Sequence, residues 1–201
     1  MLKKQSLHKV FLLVSAIIVF HGTLMVLIQD GRINFGVLRY YTIMSNLLVT
    51  IGFIAMVFLN KKESVFRYYF SISIMMSISM TCLAYNFVLV PAGGVGWIFS
   101  SYPNFVTHLL SMVLVFINYF IFEKKGMFTF KHVPIGLIFT AVYWIVFLII
   151  GDYINFHPYF FMNPNMIGLP MTFVWGGILL VSISLFGLII LLLDKKLGRK
   201  Y

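Results

Sequence analysis

Residues 39–48 read Arg39-Tyr40-Tyr41-Thr42-Ile43-Met44-Ser45-Asn46-Leu47-Leu48 and open an apolar run of about twenty residues, the length that a bilayer-spanning helix needs. In a helix, Thr42, Ser45 and Asn46 are three and four positions apart, so they share one face. An unsatisfied polar group in hydrocarbon costs several kcal/mol. We therefore expect this polar face to find partners on other helices of a membrane bundle.

The composition excludes an ordinary soluble domain. Hydrophobic residues make up 61% of the 201 residues, the mean hydropathy is +1.00, and only 10% of residues are charged, whereas soluble domains carry about 25% charged residues. A chain of this length holds about five to seven membrane spans with short loops. The single cysteine, Cys82, excludes an internal disulfide and a multi-thiolate metal site within one chain.

Six apolar segments are separated by breaks that carry charge or turn-forming residues. The first segment follows Lys3 and Lys4, but it has the length of a full span and no small-residue cleavage pattern ends it. We therefore expect a retained helix instead of a secretory signal. The sequence predicts an all-α integral membrane bundle of six transmembrane helices, forming a single domain over residues 1–201. The spans cover about residues 10–28, 41–59, 70–90, 104–122, 134–151 and 169–193.

The basic residues predict the orientation of the bundle. Only Arg32 and Arg39 lie on the side of the first loop, and the other thirteen of the fifteen lie on the opposite side. The positive-inside rule therefore predicts cytoplasmic N- and C-termini in a multi-pass protein of the plasma membrane, here a bacterial inner membrane. The net charge of +10 then attracts anionic headgroups, so the expected partners are membrane lipids and not nucleic acid. The thirteen are Lys3, Lys4, Lys9, Lys61, Lys62, Arg67, Lys124, Lys125, Lys131, Lys195, Lys196, Arg199 and Lys200.

With this orientation, a layer of polar residues from four helices falls at one depth towards the outer surface. Ionisable residues inside spans are costly and usually face a bundle interior or a cavity, so two histidines in one layer indicate a functional site. Serine, threonine and asparagine also join membrane helices through hydrogen bonds worth about 0.6 to 2 kcal/mol, and for any one of them alone this is the commoner role. Asn118, in the inner half, is the main polar residue outside this layer. The layer contains His21, Thr42, Ser45, Asn46, Tyr85, Asn86, His108 and Ser111.

Three stretches of the chain occur in an order that agrees with one known family. They are residues 41–48 (Tyr-Thr-Ile-Met-Ser-Asn-Leu-Leu), His108 to Gly126, and Tyr143-Trp144 leading to His157-Pro158-Tyr159-Phe160-Phe161. They resemble, in turn, the second-helix motif, the His-containing fourth helix with its basic exit, and the aromatic loop before the last helix. The family is the one that contains the androgen-induced and androgen-dependent TFPI-regulating proteins, together with bacterial relatives.

This resemblance covers most of the chain from about Arg39 onward and implies a reaction. The better-studied animal members hydrolyse fatty acid esters of hydroxy fatty acids inside the membrane with a threonine nucleophile and a histidine. By resemblance, Thr42 matches the threonine and His108 the histidine. The chain departs from its bacterial relatives at Met112 and Asn118, where they tend to carry a proline and an acidic residue.

The residue chemistry is compatible with ester hydrolysis of a hydrophobic acyl substrate. A neutral imidazole within about 3 Å of Thr42 would take its proton as the hydroxyl attacks an acyl carbonyl. Hydrogen-bond donors to the developing oxyanion would come from Ser45, Asn46 or Asn86. Acyl chains would lie in hydrocarbon while water reaches the ester from the interface.

No obvious carboxylate in the sequence is placed to orient His108. Asp152 and Asp30 lie at the outer ends of the fifth and first helices, but each is more simply a solvated loop charge. The aromatic residues Trp97, Tyr102 and Tyr159 are expected to belong to the interfacial belt.

Two other classes of function remain open. His21 and His108 come from two helices at compatible depth and would serve as axial haem ligands, although one histidine on each helix is a weak pattern. A non-catalytic lipid-binding or transport protein would line an apolar cavity with aromatic side chains and the Met-rich third helix. Retinal attachment is excluded because no lysine lies inside a span. The sequence predicts no cofactor and no metal.

Overall fold

The computed structural model describes residues 2–29, 31–58, 65–93 and 95–199. Within these ranges six helices are long and apolar enough to cross a membrane, and the only strands are the two-residue pair Ile28–Gln29 and Arg32–Ile33. The expected helical class is confirmed, and six such helices indicate a multi-pass membrane protein. Asp30, the break at residues 61–63 and Lys200 lie outside the described residues.

Most ends of the six long helices lie within a few residues of the predicted spans. The first helix begins eight residues earlier, at Leu2, the third begins five residues earlier, at Val65, and the last ends five residues later, at Gly198. We number them α1 to α6 in chain order. Helix α3 continues directly into a π-helical turn, Tyr85–Leu89, and α4 combines α-helical and π-helical segments. The helices are α1 Leu2–Leu27, α2 Tyr41–Phe58, α3 Val65–Ala84, α4 Tyr102–Phe122, α5 His132–Ile150 and α6 Leu169–Gly198.

Local sequence explains where α4 begins. The Ser101 side chain accepts a hydrogen bond from the backbone N–H of Asn104, and Pro103 occupies the first turn. A serine cap satisfies a free backbone donor, and proline in the first turn has no N–H that needs a partner. These two residues start α4 a little before the predicted span, so the helix has completed nearly two turns when it reaches His108.

Helix α3 lies at the centre of the bundle. It contacts α2, α4, α5 and α6, and 61% of its span is buried, compared with 28% to 50% for the other five. Ile72, Ile74, Met75 and Met76 are fully buried. Most of the Met-rich face of α3 therefore packs in the core, where the flexible thioether side chain fills irregular spaces.

The two ends of the bundle differ in chemistry. One end, here called the terminal end, contains the starts of α1, α3 and α5 and the ends of α2, α4 and α6. There His8 Nε2 lies 2.8 Å from Asn118 Oδ1, Asn118 donates to Glu123 at 2.7 Å, and the Tyr119 hydroxyl donates to Asp194 at 2.6 Å. Asn118 therefore belongs to a buried polar cluster at the terminal end, away from the polar layer predicted near the first loop.

Candidate functional site

Thr42 and His108 face each other near the other end of the bundle. Thr42 lies in the first turn of α2, and its Oγ1 is 3.3 Å from His108 Nε2 on α4. His108 is 7% exposed and Thr42 is partly buried. The structure thus brings together the hydroxyl and the imidazole that the sequence proposed as a pair.

The hydrogen bonds around His108 determine which ring nitrogen carries the proton. Nδ1 lies 3.1 Å from the Asn104 carbonyl oxygen and 3.1 Å from Thr107 Oγ1. The Thr107 hydroxyl donates its own proton to the Pro103 carbonyl at 2.7 Å, so towards Nδ1 it can only accept. Because both partners of Nδ1 are acceptors, Nδ1 is the N–H of the neutral ring. The lone pair of Nε2 is therefore directed at Thr42.

Tyr85 holds the His108 ring from its face. The two rings stack with centroids 3.5 Å apart and an interplanar angle of 22°, and the Tyr85 hydroxyl donates to the Gly96 carbonyl. Both residues lie in π-helical segments, Tyr85–Leu89 and Val106–Leu110, and such segments frequently occur at functional sites. Neither segment contains the Pro or Gly that would indicate a helix irregularity in the sequence.

Asn46 joins the two helices that carry the pair. Its amide nitrogen donates to the carbonyl of Thr42 at 2.7 Å and to the carbonyl of Thr107 at 2.9 Å, and the side chain is fully buried. Its Oδ1 has no hydrogen-bond partner among the described residues. Asn46 therefore fixes the distance between the backbone of Thr42 and the backbone next to His108.

Close approach of α1 also holds the His108 segment in place. A Cβ atom on Gly22 would lie 2.3 Å from Val106 Cγ1, a contact that real side chains do not make. Only glycine at this position lets α1 pack directly on the π-helical segment of α4.

The donors proposed for the oxyanion are engaged elsewhere. Both donor contacts of the Asn46 amide go to backbone carbonyls, and the Ser45 hydroxyl lies 3.1 Å from the Thr42 carbonyl and 2.6 Å from Thr81 Oγ1. The Asn86 amide donates to the Cys82 carbonyl in its own helix at 2.8 Å. These side chains support the helices around the pair, and another group has to stabilise an oxyanion.

His21 and Ser111, both expected in the polar layer, have partners other than Thr42 Oγ1 and His108 Nε2. His21 is exposed, and its Nδ1 lies 3.1 Å from the Tyr102 hydroxyl, while Ser111 donates to the Thr107 carbonyl at 3.4 Å. Both nitrogens of His108 already contact protein groups. Nε2 of His108, the ring nitrogen with the free lone pair, faces Thr42, and Nδ1 of His21 faces Tyr102, so neither contact joins the two histidines proposed as axial haem ligands.

No carboxylate among the described residues contacts His108. The carboxylate of Asp152 is 61% exposed and binds His157 Nε2 at 2.9 Å and the Asn165 amide at 2.9 Å. Asp30, the other acid considered, lies outside the described residues. The Asn104 carbonyl takes the orienting position that a carboxylate occupies in many hydrolases, and a backbone carbonyl is a common partner for a histidine N–H.

Tyr159 was expected in the interfacial belt, but the structure places it against Thr42. Its hydroxyl approaches the Thr42 side chain and the backbone of Tyr41 and Thr42. Burial raises the pKa of Tyr159 to about 12, so the phenol is neutral and able to donate at physiological pH. The aromatic pattern of residues 157–161 gave no indication that one of its rings turns inward.

Thr42 lies at the junction of two cavities, which we call the wide cavity and the narrow chamber. The wide cavity has a volume of about 570 Å³ and is bounded by His108, Tyr40, Val95, Gly96, Pro158 and Phe160. The narrow chamber has a volume of about 40 Å³ and is bounded by Met80, Ala84, Trp144, Gly176, Leu179 and Leu180. Thr42, Tyr85, Leu89 and Tyr159 line both.

No protein-family profile, curated protein or solved structure matches this chain. Among the described residues, no group of three or more His, Cys, Asp or Glu side chains is placed to hold a metal ion. What the site does must therefore be inferred from its own geometry: a hydroxyl, a neutral imidazole with its lone pair directed at that hydroxyl, and two adjoining cavities.

Proposed function

We propose that the protein hydrolyses an ester of a lipid within the membrane, with Thr42 as the nucleophile and His108 as the general base. The observation that carries the proposal is the 3.3 Å approach of Thr42 Oγ1 to the unprotonated Nε2 of His108. A neutral hydroxyl is a weak nucleophile until an adjacent base takes its proton. The resemblance of residues 41–48 and of the His108 helix to the androgen-induced family of membrane hydrolases supports the same pairing.

In the first half of the reaction, Thr42 Oγ1 forms a bond to the ester carbonyl carbon while its proton moves to His108 Nε2. The carbonyl electrons move to oxygen and form an oxyanion. Collapse of this intermediate breaks the bond to the alcohol oxygen, which leaves with the proton from Nε2. In the second half, water attacks the acyl-Thr42 ester in the same way, releasing the carboxylic acid and restoring Thr42.

Tyr159 is the side chain best suited to stabilise the oxyanion. Its neutral hydroxyl approaches Thr42, so a carbonyl carbon bonded to Thr42 Oγ1 would bring its oxygen close to this donor. Removing one such donor typically lowers kcat by about 10²-fold to 10³-fold. In this mechanism Tyr159 replaces Ser45, Asn46 and Asn86, whose donors are already engaged.

We place the protein in the plasma membrane, and the charge distribution supports an orientation in which the terminal end faces the cytoplasm. Of the basic residues in the described ranges, only Arg32 and Arg39 lie at the other end, and both are exposed, whereas the others lie at the terminal end. Thr42 and His108 then lie beneath the outer headgroups, where a lipid enters the wide cavity from the bilayer and water enters from the interface.

The test compares the wild type with Thr42→Ala and His108→Ala in lipid nanodiscs on a long-chain alcohol ester and a p-nitrophenyl ester. Thr50→Ala is the matched control, because Thr50 is on the same helix and its hydroxyl donates only to the Asn46 carbonyl one turn away. We expect kcat to fall by about 10²-fold to 10⁴-fold in His108→Ala, to disappear in Thr42→Ala, and to be unchanged in Thr50→Ala.

Mass spectrometry adds a direct readout. A slow ester substrate should leave its acyl group on the peptide that contains Thr42, and Thr42→Ala should remove that label. Equal rates in the wild type and both site variants would refute the proposal. Saturable lipid binding without hydrolysis would instead favour a lipid carrier that uses the same wide cavity.

A further inference from the structure

We infer that the acyl half of the substrate is short, about two to four carbons, and that the long chain belongs to the alcohol half. This inference rests on the proposed function, because it assumes that the ester carbonyl is attacked by Thr42. It names the substrate class of the site: an O-acetyl to O-butyryl ester of a lipid alcohol.

The first support is the difference in size between the two cavities that meet at Thr42. A carbonyl carbon at Thr42 has two substituents to place, the acyl group and the alcohol oxygen with its chain. The wide cavity, about 570 Å³, falls in the range that holds a whole small ligand. The narrow chamber, about 40 Å³, has room for about three atoms of water size, since one water needs roughly 10 to 15 Å³ measured in this way.

The second support is the position of His108, which determines which cavity receives the alcohol half and which receives the acyl group. His108 lines the wide cavity and is absent from the lining of the narrow chamber. The leaving alcohol has to receive its proton from His108 Nε2, so the alcohol half belongs on the His108 side. The acyl substituent is then directed into the narrow chamber, whose remaining wall is formed largely by apolar side chains.

The third support is the packing of Trp144 against Gly176, two residues that line the narrow chamber. The Trp144 ring packs so closely on Gly176 that a Cβ atom added to Gly176 would lie 2.4 Å from Trp144 Cζ2. The ring also contacts Phe173, with 5.8 Å between the ring centroids. Because Phe173 and Gly176 are three residues apart, both contacts come from one face of α6. Because Trp144 Nε1 has no hydrogen-bond partner within the described ranges, its role at this position is to occupy space.

The sharpest test uses two isomeric esters of equal size and composition, dodecyl butyrate and butyl dodecanoate. Both are presented to the wild-type protein in the same nanodiscs, and the Thr42→Ala rate is subtracted. We expect kcat/KM for dodecyl butyrate to exceed that for butyl dodecanoate by about tenfold or more, because each methylene that a pocket cannot accept costs roughly tenfold or more.

Variants at Trp144 and Gly176 test whether the narrow chamber causes the preference between the two esters. Trp144→Ala should raise the ratio of kcat/KM for butyl dodecanoate to kcat/KM for dodecyl butyrate by about tenfold. Trp144→Phe keeps a ring in place and should retain the wild-type preference. Gly176→Ala should push the indole into the chamber and lower the butyrate rate, whereas Gly177→Ala, with no atom within 4 Å of its added Cβ, should behave as the wild type.

The outcomes separate this inference from the proposed function. Hydrolysis that depends on Thr42 but favours butyl dodecanoate, or treats the isomers alike, overturns the short-acyl assignment and leaves the hydrolase standing. An isomer preference that Trp144→Ala does not change overturns the role of the chamber. Absence of any hydrolysis that depends on Thr42 overturns both.

Discussion

Replacing Asn46 with leucine should separate the geometry of the site from the stability of the fold. Asn46 donates two hydrogen bonds, one to the carbonyl of Thr42 and one to the carbonyl next to His108. Leucine has a similar shape and makes neither bond. Each lost bond is worth about 0.6 to 1.5 kcal/mol, and removal of the unpartnered Oδ1 offsets part of that loss. We therefore expect the free energy of unfolding to fall by about 1 to 2 kcal/mol.

The effect on catalysis should be larger than the effect on stability. Without Asn46, the side chain that bonds both the Thr42 carbonyl and the Thr107 carbonyl is lost, so the two backbones are held less firmly relative to each other. A misplacement of about 1 Å between reacting groups can lower the rate by about 10²-fold. Since the substrate cavities are lined by other residues, we expect kcat to fall by roughly this factor and KM to change little.

The assay pairs thermal unfolding with ester hydrolysis, both in nanodiscs, and compares Asn46→Leu with Asn118→Leu. Asn118 is also a buried amide, and it connects α1 to the end of α4 by hydrogen bonds to His8 and Glu123. Its loss should cost at least as much stability while leaving kcat of the folded protein intact, because it lies at the terminal end. If the two variants lose activity in parallel with their stability, Asn46 has no positioning role.

Three further outcomes follow from single contacts. Thr107→Val should lower kcat by about tenfold, because it removes an acceptor of the His108 Nδ1–H. Thr107→Ser keeps that acceptor and should have the wild-type kcat. Equal kcat values in the wild type and both variants would contradict this role of Thr107. Asp194→Asn should lower the unfolding free energy by about 1.5 to 3 kcal/mol, because a charged acceptor of the Tyr119 hydroxyl is lost, and activity per folded molecule should stay constant in a hydrolysis assay. Burial raises the pKa of Glu123 above its ordinary 4.5, so any stability that its carboxyl contributes is present below that pH and is lost as pH rises through the folded value. Thermal unfolding of Glu123→Gln against the wild type should therefore favour the variant increasingly as the pH rises above 4.5, and a pH-independent difference would refute the assignment.

Much of the fold was predictable because the bilayer sets the length of its elements. A run of about twenty apolar residues between polar breaks has few alternatives to a membrane helix, so the six helices follow from hydropathy. The depth of Thr42 and His108 was predictable for a related reason, because the rise per residue gives each polar side chain a depth once the helix ends are known. Six other polar residues were predicted in the same layer, and the family resemblance, not the depth, selected Thr42 and His108 as the pair.

The finer parts of the site depend on backbone geometry that carries no residue signature. The π-helical segments around Tyr85 and His108 contain ordinary apolar and polar residues, so nothing in their composition distinguishes them from α-helix. The position of Tyr159 could not be predicted from the sequence either. An aromatic residue next to a proline in a loop fits an interfacial position as well as a buried one, and only the tertiary structure places its hydroxyl against Thr42.

The structure places no carboxylate of the described residues beside His108, and this arrangement makes physical sense in a membrane. A buried Asp–His pair would require the desolvation of a charge, a cost of several kcal/mol that its mutual attraction does not always recover. In this protein the Asn104 carbonyl and the Thr107 hydroxyl fix the tautomer of His108 with neutral dipoles. Asp152, one of the two acids that the sequence offered, is exposed in a loop. Neutral dipoles cost far less to bury than a carboxylate, so Nε2 can be directed at Thr42 without placing a net charge among the spans.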